Sequence, residues 1–532
     1  EALFSLEVDA DAPPPPRRIL GAARDHGVNV EHALALELRV ERGTLVLALN
    51  WHPALVSAAY ADLIVRQVDA KLAEIACGTH MPADLLAESA LVPAAAPPYT
   101  NVADWVPHWA ARRPDALAVE VLDDVPPRHT ATLTYAELDA ASARLAAALQ
   151  RHCAPHAVVA VDLARSPATY VALVAVLRAG MVYLPLDESL PPARKCMLVD
   201  DSGAACIVAA HAAATTPPTV GVDAGGAGGG GGDGGGISGG VTSTSTSTPA
   251  YILYTSGSTG TPKGCILTHA NLAAAIGNLH GALDAAAPGS FAGARYLARS
   301  AEAFDVHLAE TFVPLMAGAT VVTMPRAALL TDLAAAIRAA RATHACVVPS
   351  LFTSGGRRIE PSDVPTLRAL TIGGEKLPPD VIRAWGGRGV PMLNAYGPTE
   401  AAIGISTARV HAQSRASVIG RAFPGNQFVV LADARRRVAL RGEPGELVIV
   451  GTHVGAGYVG GRASAAFFEW RGRPAYATGD VARLSPADCA EFLGRVGSSQ
   501  VKVRGARVEL DEIDAAARAA GGMHAAAVVA TH

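Results

Sequence analysis

The sequence predicts an α/β fold in which helices cover both faces of a mostly parallel β-sheet. Two observations support this prediction. Strand and helix patterns alternate from Thr134 to about Leu484, as is typical of parallel sheets covered by helices. The run from Ala157 to Leu163 is apolar at almost every position, which indicates a strand buried on both faces. The length of 532 residues allows about three or four compact units.

Composition excludes several functional classes. The 44 basic and 48 acidic side chains leave a formal charge of −4, whereas a nucleic-acid-binding protein would carry a basic excess. No apolar run reaches the roughly 18 residues that a membrane-spanning helix needs. The seven cysteines are scattered without a C-x-x-C pair, as expected in a reducing compartment. We therefore expect a cytoplasmic protein with neither nucleic-acid nor membrane partners.

The first part of the chain shows few elements. An alternating run from Thr44 to Leu49 predicts one strand, and the pattern from Val56 to Ile75 predicts one long helix. These two elements are too few to form a domain. A loop rich in proline and alanine, from Pro93 to Pro98, follows them. We place a domain boundary near residue 96.

The next elements are more regular. Thr134 and Glu137 have the spacing of a capping box, and the helix that follows has an apolar face formed by Leu138, Ala141, Leu145 and Leu149. After the strand at Ala157 to Leu163, the pattern predicts a helix to about Ala179, a strand around Tyr183, a short helix and a strand at Ala205 to Ala209.

Composition changes sharply between Gly221 and Thr248. This segment consists largely of glycine, serine and threonine, and it cannot bury enough apolar surface to order itself. We expect a disordered surface insertion at residues 221–248. The alternation resumes at Tyr251, and Gly494 to Asp514 predicts a hairpin followed by the start of a helix.

A glycine-rich loop directly follows the short strand predicted at Ala250 to Leu253. Its sequence is YTSGSTGTPKG, from Tyr254 to Gly264. Glycine lets backbone N–H groups approach an anion, hydroxyl groups donate further hydrogen bonds, and a lysine neutralises charge on phosphates. The GxxxxGK[ST] pattern of the Walker loop is absent. The loop therefore predicts phosphate binding of another kind.

This loop resembles the signature of the adenylate-forming enzymes, in particular the adenylation domains of nonribosomal peptide synthetases. Further motifs match that family in its order and at about its spacing, over residues 100 to 520. They are LTYAEL (133–138), LRAGMVYLPLD (177–187), FDVHLAE (304–310), NAYGPTE (394–400), GELVIVGTHVGAGY (445–458), YATGD (476–480) and GRVGSSQVKVRGARVELDEID (494–514).

The resemblance implies a fold and a reaction. Residues 96–484 would form the large N-terminal part, with helices on mixed and parallel sheets. Residues 485–532 would begin a small α+β C-terminal subdomain. The enzyme would be a ligase of secondary metabolism that forms aminoacyl-AMP from an amino acid and MgATP, releases pyrophosphate and then loads a phosphopantetheine carrier thiol. ATP and Mg²⁺ are therefore the expected small-molecule partners.

The same resemblance implies residues that bind the nucleotide. Those implied in catalysis are Lys263, Thr399, Glu400 and Arg495, with Glu400 holding Mg²⁺. Tyr396 would stack on adenine, Asp480 would accept the ribose hydroxyls, and Arg495 would be a neighbouring ribose contact. The remaining implied nucleotide contacts are Thr255, Ser256, Gly257, Ser258, Thr259, Gly260, Gly374, Asn394 and Gly397.

Asp305 in FDVHLAE is similar to the aspartate that pairs with the substrate α-ammonium in enzymes that select α-amino acids. A buried carboxylate without a cation is unfavourable, so acids that lack the ammonium would be rejected. None of the other implied pocket residues is charged, which favours a neutral, bulky apolar or aromatic amino acid, although a smaller aliphatic one stays possible. These residues are Val306, Ala309, Cys346, Thr371, Gly373, Ala395, Ile403 and Gly404.

The chain departs from the family pattern near its end. GRVGSSQVK lacks the aspartate that usually follows Gly-Arg-x, and Gly497 is the expected hinge. The sequence stops at His532, before the family's late lysine and before a carrier domain. Residues 1–95 are weakly similar to the end of a condensation domain. We expect carrier and condensation partners, and we keep two alternatives: a degenerate nucleotide-binding remnant, or an acyl-CoA ligase of the same superfamily.

Overall fold

A computed structural model places most of the chain. The described residues are 20–25, 34–41, 44–51, 56–77, 79–210, 218–221, 247–255, 262–356, 358–433, 436–461, 465–495, 500–503 and 506–509. Most of the glycine-rich insertion, Ser256 to Gly260 of the phosphate loop, the hinge Gly497 and the helix start after Glu509 lie outside them. Contacts divide the chain into two compact units. The first contains residues 1–90, 428–448 and 479–494, and the second contains 91–427, 449–478 and 495–532.

The first unit begins with a small sheet. The elements are β1 (Leu20–Asp25), β2 (Leu34–Glu41), β3 (Thr44–Trp51) and α1 (Ala58–Cys77). The strand order is β1-β3-β2, in which β1 is parallel and β2 antiparallel to β3. The predicted strand and helix are confirmed, but the expectation of a single strand was wrong. LALELRVE alternates as a strand does, and a two-residue connection lets it pair as a hairpin with β3.

The second unit starts with the alternation that the sequence predicts. Its first elements are α2 (Trp105–Arg112), β4 (Leu117–Leu122), β5 (Thr130–Thr134), α3 (Tyr135–His152), β6 (Val158–Asp162), α4 (Pro167–Arg178), β7 (Val182–Pro185), α5 (Pro192–Ser202), β8 (Cys206–Ala209) and β9 (Thr219–Gly221). The capping box at α3 is confirmed, because Thr134 and Glu137 each bond the other's backbone N–H. Leu138, Leu145 and Leu149 are buried along one face of α3.

The middle of the chain contains the elements that carry the predicted site. They are β10 (Pro249–Thr255), β11 (Lys263–Thr268), α6 (His269–Ala286), β12 (Arg295–Leu297), α7 (Val306–Met316), β13 (Thr320–Thr323), α8 (Arg326–Thr331), α9 (Leu333–Ala339), β14 (His344–Val347), β15 (Ala369–Gly373), α10 (Pro379–Trp385), β16 (Met392–Tyr396), β17 (Ser406–Arg409) and β18 (Val418–Ala422).

Eight more strands complete the described part. They are β19 (Asn426–Leu431), β20 (Gly445–Gly451), β21 (Gly457–Tyr458), β22 (Phe467–Trp470), β23 (Arg473–Leu484), β24 (Ala490–Arg495), β25 (Gln500–Val503) and β26 (Ala506–Glu509). Strands β25 and β26 pair antiparallel, so the hairpin predicted near the end of the sequence is confirmed.

Two sheets organise the second unit. One has the order β21-β11-β10-β7-β6-β8-β9, and it is parallel from β10 to β9. In the other, nine strands of this unit follow the order β18-β17-β16-β15-β14-β12-β13-β4-β5. Helices α3, α4, α6 and α7 contribute to one large apolar core together with strands of both sheets. The predicted α/β class with mixed and parallel sheets is confirmed.

None of the described helices combines the length and the apolar character that crossing a membrane requires.

Candidate functional site

The candidate site lies where parallel strands β14, β15 and β16 end. Their register pairs Cys346 with Thr371, and Gly373 with Ala395. The carboxyl ends of parallel strands are where α/β sheets usually bind ligands, because the connecting loops leave a crevice there. Four of the predicted pocket residues are therefore brought together by sheet pairing alone.

Gly373 is explained by a close backbone approach. A Cβ added at this residue would lie 2.6 Å from the carbonyl oxygen of Ala395. Glycine is required there so that β15 and β16 can pair at that distance. At Gly404, in contrast, an added Cβ would meet only Leu279 at 3.5 Å, so the space beside Gly404 is less crowded.

Asp305 immediately precedes α7 and is 7% exposed. Its Oδ2 accepts a hydrogen bond from the backbone N–H of Ile403 at 3.1 Å, and the Thr399 hydroxyl also bonds to this carboxyl group. Burial raises the pKa of Asp305 to about 6, and the nearby Glu400 charge acts in the same direction. A cation bound here would restore the charged form, because an opposite charge favours ionisation.

The backbone that holds Asp305 is strained. Ala402 and Ile403 both have positive φ, at 47° and 68°, a region that β-branched residues rarely adopt. Such conformations persist only where surrounding contacts enforce them, and they concentrate at functional sites. Here the contact is the Ile403 N–H on the Asp305 carboxylate. Two predicted pocket residues are thus coupled through a strained turn.

Glu400 lies in the turn Thr399–Ala401 that follows β16. It is 1% exposed, and its Oε1 accepts a hydrogen bond from the Tyr458 hydroxyl at 2.9 Å. Lys263 at the start of β11 lies with its Nζ 5.8 Å from the centroid of the Tyr458 ring. Strands β21 and β11 pair at Tyr458 and Cys265. Tyr458 therefore joins the predicted lysine and the predicted Mg²⁺ carboxylate.

The phosphate loop connects β10 to β11. Its ends are fixed by antiparallel pairing of Thr255 with Lys263, and the Thr255 hydroxyl lies 3.5 Å from the Lys263 carbonyl oxygen. Gly264 is required by packing, since an added Cβ would lie 2.8 Å from Tyr254 and Val459. The strand predicted before the loop is thus present as β10, and a second strand, β11, begins at Lys263.

The residues expected near adenine lie at the same strand ends. Asn394 is buried, and its Nδ2 donates to the Val418 carbonyl oxygen at 2.9 Å. Tyr396 is the last residue of β16 and is half-buried. Gly374 has φ of 83°, and at Gly397 an added Cβ would lie 2.6 Å from the Cα of Gly404. Both glycines are required by the backbone itself.

The two residues expected to contact ribose, Asp480 and Arg495, belong to different units of the chain. Asp480 belongs to β23 in the first unit and is 7% exposed. Beside it, the Gly479 N–H donates to Glu446 Oε1 at 3.1 Å. Arg495 ends β24, and its Nη2 donates to the Thr478 carbonyl oxygen at 2.9 Å.

Sequence reasoning missed several residues beside the pocket. Tyr458 was present in a matching motif, but its bond to Glu400 depends on sheet pairing. The fully buried Cys265 faces the charges of Glu400 and Asp305, and burial raises the pKa of its thiol. Arg299 was also missed: its Nη1 lies 3.4 Å from the Cys346 carbonyl oxygen. A charged residue six positions before Asp305 was the available signal.

Metal binding by protein side chains alone finds no support. Among the described residues, no cluster of three or more histidine, cysteine, aspartate or glutamate side chains could hold a metal ion. Mg²⁺ is often held by one or two carboxylates together with substrate phosphates. The single buried carboxylate of Glu400 fits that mode.

Comparison with known proteins shows the family of this chain. The family model described as AMP-binding enzyme matches residues 106–459, which include the loop strands, Asp305, Glu400 and Tyr458. The chain therefore belongs to the AMP-binding enzyme family, whose members are adenylate-forming ligases.

The relatives are, more particularly, nonribosomal peptide synthetases. The ferrichrome siderophore peptide synthetase of Mycosarcoma maydis is 43% identical, over 97% of this chain and 14% of its own length. The nonribosomal peptide synthetase sidC of Aspergillus fumigatus is 32% identical, over 92% of this chain and 11% of its own. The chain thus spans a small part of each relative. These relatives do not favour the acyl-CoA ligase alternative.

Solved structures show the same fold. An artificially fused adenylation–PCP protein, NpsA-ThdA of Klebsiella oxytoca, superposes with a TM-score of 0.65 at 23% identity, covering 79% of this chain and 76% of that one. The holo-PA1221 protein, which contains adenylation and PCP domains, gives a TM-score of 0.62 at 25% identity, covering 79% and 72%.

Proposed function

We propose that this chain activates an amino acid as its adenylate. The observation that carries the proposal is Asp305, a buried carboxylate whose one oxygen is held by the Ile403 N–H. Burial raises the pKa of Asp305, and the second buried carboxylate, that of Glu400, acts in the same direction. Such an anion is stabilised by a substrate cation, and the α-ammonium of an amino acid supplies it. The substrate carboxylate would then attack the α-phosphorus of ATP, and the bond to pyrophosphate would break.

The nucleotide contacts of this proposal are the residues implied by the family. Lys263 and the loop from Thr255 to Gly260 would bind phosphates. Thr399 would touch phosphate, and Glu400 would hold Mg²⁺, which supplies neutralisation of the phosphate charge. Tyr396, Asn394, Gly374 and Gly397 would line the base site, and Asp480 and Arg495 would bind ribose. Support comes from the positions of the described members of this set. Thr255 ends β10, Lys263 begins β11, Tyr396 ends β16, and Thr399 and Glu400 lie in the turn that follows β16.

The amino-acid pocket of this proposal surrounds Asp305. Its walls would be Val306, Ala309, Cys346, Thr371, Gly373, Ala395, Ile403 and Gly404. All eight are uncharged, so we propose a neutral amino acid. Burial raises the pKa of the Cys346 thiol to about 12, which keeps that side chain neutral at physiological pH.

We further propose that the chain works within an assembly line. The names of its relatives include siderophore and nonribosomal peptide synthetases, and two structural neighbours contain a PCP domain. The acyl group would pass to a phosphopantetheine carrier, with Gly497 as the hinge. Residues 1–95 would be the end of a condensation domain, followed by the large part at 96–484 and the small subdomain from 485. The free cysteines of the described part favour the cytoplasm.

The test is ATP–pyrophosphate exchange by the full-length protein that contains this chain, with each amino acid in turn. We expect exchange to depend on one neutral amino acid. Asp305→Ala should abolish it while ATP binding persists. Ser300→Ala is a matched control on the same connection, since Ser300 bonds Glu310 rather than Asp305. The remaining alternative, a degenerate remnant, predicts ATP binding with no exchange for any amino acid.

A further inference from the structure

Arg299 places a cation beside Cys346, one of the predicted pocket residues. It follows β12, and its Nη1 donates to the carbonyl oxygen of Cys346 at 3.4 Å. Its backbone N–H donates to Glu310 Oε2 at 3.0 Å, which anchors it to α7, the helix that begins after Asp305. The side chain is half-buried. Arg299 is thereby held between two elements that contribute pocket residues.

Among the described residues, most of the donor capacity of this guanidinium is unused. A guanidinium has five N–H donors, and within the described part of the chain the Cys346 carbonyl is the one acceptor that Arg299 contacts with it. No described carboxylate forms an ion pair with it. Arg165 and Arg295, by comparison, pair with Glu302 and Glu120. A half-buried guanidinium that no described carboxylate contacts directly is suited to receive an acceptor from a ligand.

The charges around Arg299 limit what that acceptor can be. Glu310 is fully buried, and burial raises the pKa of its carboxyl group. The Arg299 charge and the bonds from the Ser300 N–H and hydroxyl act in the opposite direction. In its ionised form Glu310 balances the charge of Arg299, as Asp305 balances that of a substrate ammonium. An added carboxylate would leave a net charge in a buried site, which is unfavourable. A neutral carbonyl oxygen adds none.

We propose that Arg299 binds the far end of the substrate side chain, and that the substrate is an amino acid whose side chain ends in a neutral, amide-type carbonyl oxygen. This inference rests on the proposed amino-acid activation and specifies its substrate class. It replaces the preference for an apolar or aromatic side chain, because such a group would displace water from the guanidinium without replacing its hydrogen bonds.

The experiment is ATP–pyrophosphate exchange by the full-length protein with three sets of amino acids. Asparagine, glutamine and Nε-acetyl-lysine carry a neutral carbonyl at increasing reach, leucine, methionine and phenylalanine are apolar, and aspartate and glutamate are charged. We expect a member of the first set to have the highest kcat/KM, by about 10- to 100-fold over apolar amino acids of similar size.

Arg299→Met keeps the length of the side chain and removes its donors. It should lower kcat/KM for the best carbonyl substrate by about 10-fold or more, mainly through KM, and leave the KM for ATP unchanged. Arg368→Met is the control. Arg368 also donates to backbone carbonyls, those of Ser290 and Ala292, but it precedes β15 and so lies at the strand end opposite the pocket. The control should preserve the substrate ranking.

The outcomes separate the two proposals. Exchange led by leucine, methionine or phenylalanine, or by aspartate or glutamate, would overturn the role of Arg299 and leave amino-acid activation intact. The same ranking in wild type and Arg299→Met would also overturn it. If Arg299→Met does not fold, two other results decide whether Arg299 has this role. They are the ranking of amino acids by the wild type and the ranking by Arg299→Lys, which should retain part of the preference for the carbonyl set. No exchange with any amino acid would refute the proposed function itself.

Discussion

Asp305 combines a stability cost with a proposed role in binding. Burial raises its pKa to about 6, above the value near 3.9 of an unfolded chain. The folded protein therefore holds a proton that the unfolded chain releases. This contribution to the free energy of unfolding is present in full below pH 4 and is lost as pH rises through 6. Above pH 6 the pocket contains an ionised carboxylate whose partner has to come from the substrate.

The pH dependence of substrate binding follows from this pKa. Well below pH 6, each unit by which the pH falls lowers the ionised fraction of Asp305 about tenfold. The affinity for an amino acid, which stays an ammonium ion in this range, should rise about fivefold from pH 5 to pH 6, reach about tenfold by pH 7 and level off above it. Calorimetric titration with the activated amino acid, or its KM in exchange, measures this. In Asp305→Asn the residual affinity should not vary with pH; an unchanged slope in that variant would assign the titration to another group.

The sequence is enough to propose a role for Asp305, but it could not predict the geometry that holds this residue. FDVHLAE marks the aspartate by its motif. The turn at Ala402 and Ile403 contains no glycine at either position, so nothing local predicts two successive left-handed residues. That conformation depends on the bond between the Ile403 N–H and Asp305, 98 positions away in sequence. Local patterns contain no information about such a contact.

At the level of elements, the β10–β11 pair forms one wall of the site. Cys265 on β11 is fully buried, and burial raises the pKa of its thiol. Cys196 on α5 is exposed. Since the thiolate is the reactive form, a thiol reagent should modify Cys196 quickly and Cys265 only when the strand pair opens.

This difference can be measured by mass spectrometry after short exposure to iodoacetamide at pH 8. To simplify the labelling we would replace Cys77, whose side chain lies outside the described residues. We expect modification of Cys196 at least about 100-fold faster than that of Cys265. Cys196→Ser should remove the fast phase. Comparable rates at Cys196 and Cys265 in the native protein would show that β11 opens readily and would contradict the fold at this wall.

Pairing between distant strands also explains which elements of the site escaped prediction. The order of strands and helices from α3 to β10 follows from apolar patterns and a capping box, which are local. The contact between Arg299 and Cys346 arises because β12 pairs with β14, although three helices and one strand lie between them in sequence. The arginine was visible in the sequence, but its neighbour was not, since a parallel pairing is not encoded in any one segment.

At the scale of the whole molecule, the first unit is built from three separated segments of the chain. Arg441 joins them. Its guanidinium donates to the carbonyl oxygens of Asp84, Glu88 and Ser485 and forms an ion pair with Asp488 at 2.6 Å. The side chain is only 9% exposed. One buried cation of the middle segment thus satisfies acceptors of the other two segments, an arrangement that no reading of the sequence alone could have assembled.

Replacing Arg441 should loosen this unit selectively. Arg441→Ala leaves a largely buried carboxylate and three carbonyls without their donor, a change that is strongly destabilising. The amides of Ala87 and Ser89, which bond to Ala439 and Phe428, should then exchange hydrogen at least about 10-fold faster. Arg437→Ala is the matched control, because Arg437 is 53% exposed and pairs at the surface with Glu443; it should leave these amides unchanged. Equal exchange in Arg441→Ala and wild type would show that the three segments are held together without this arginine.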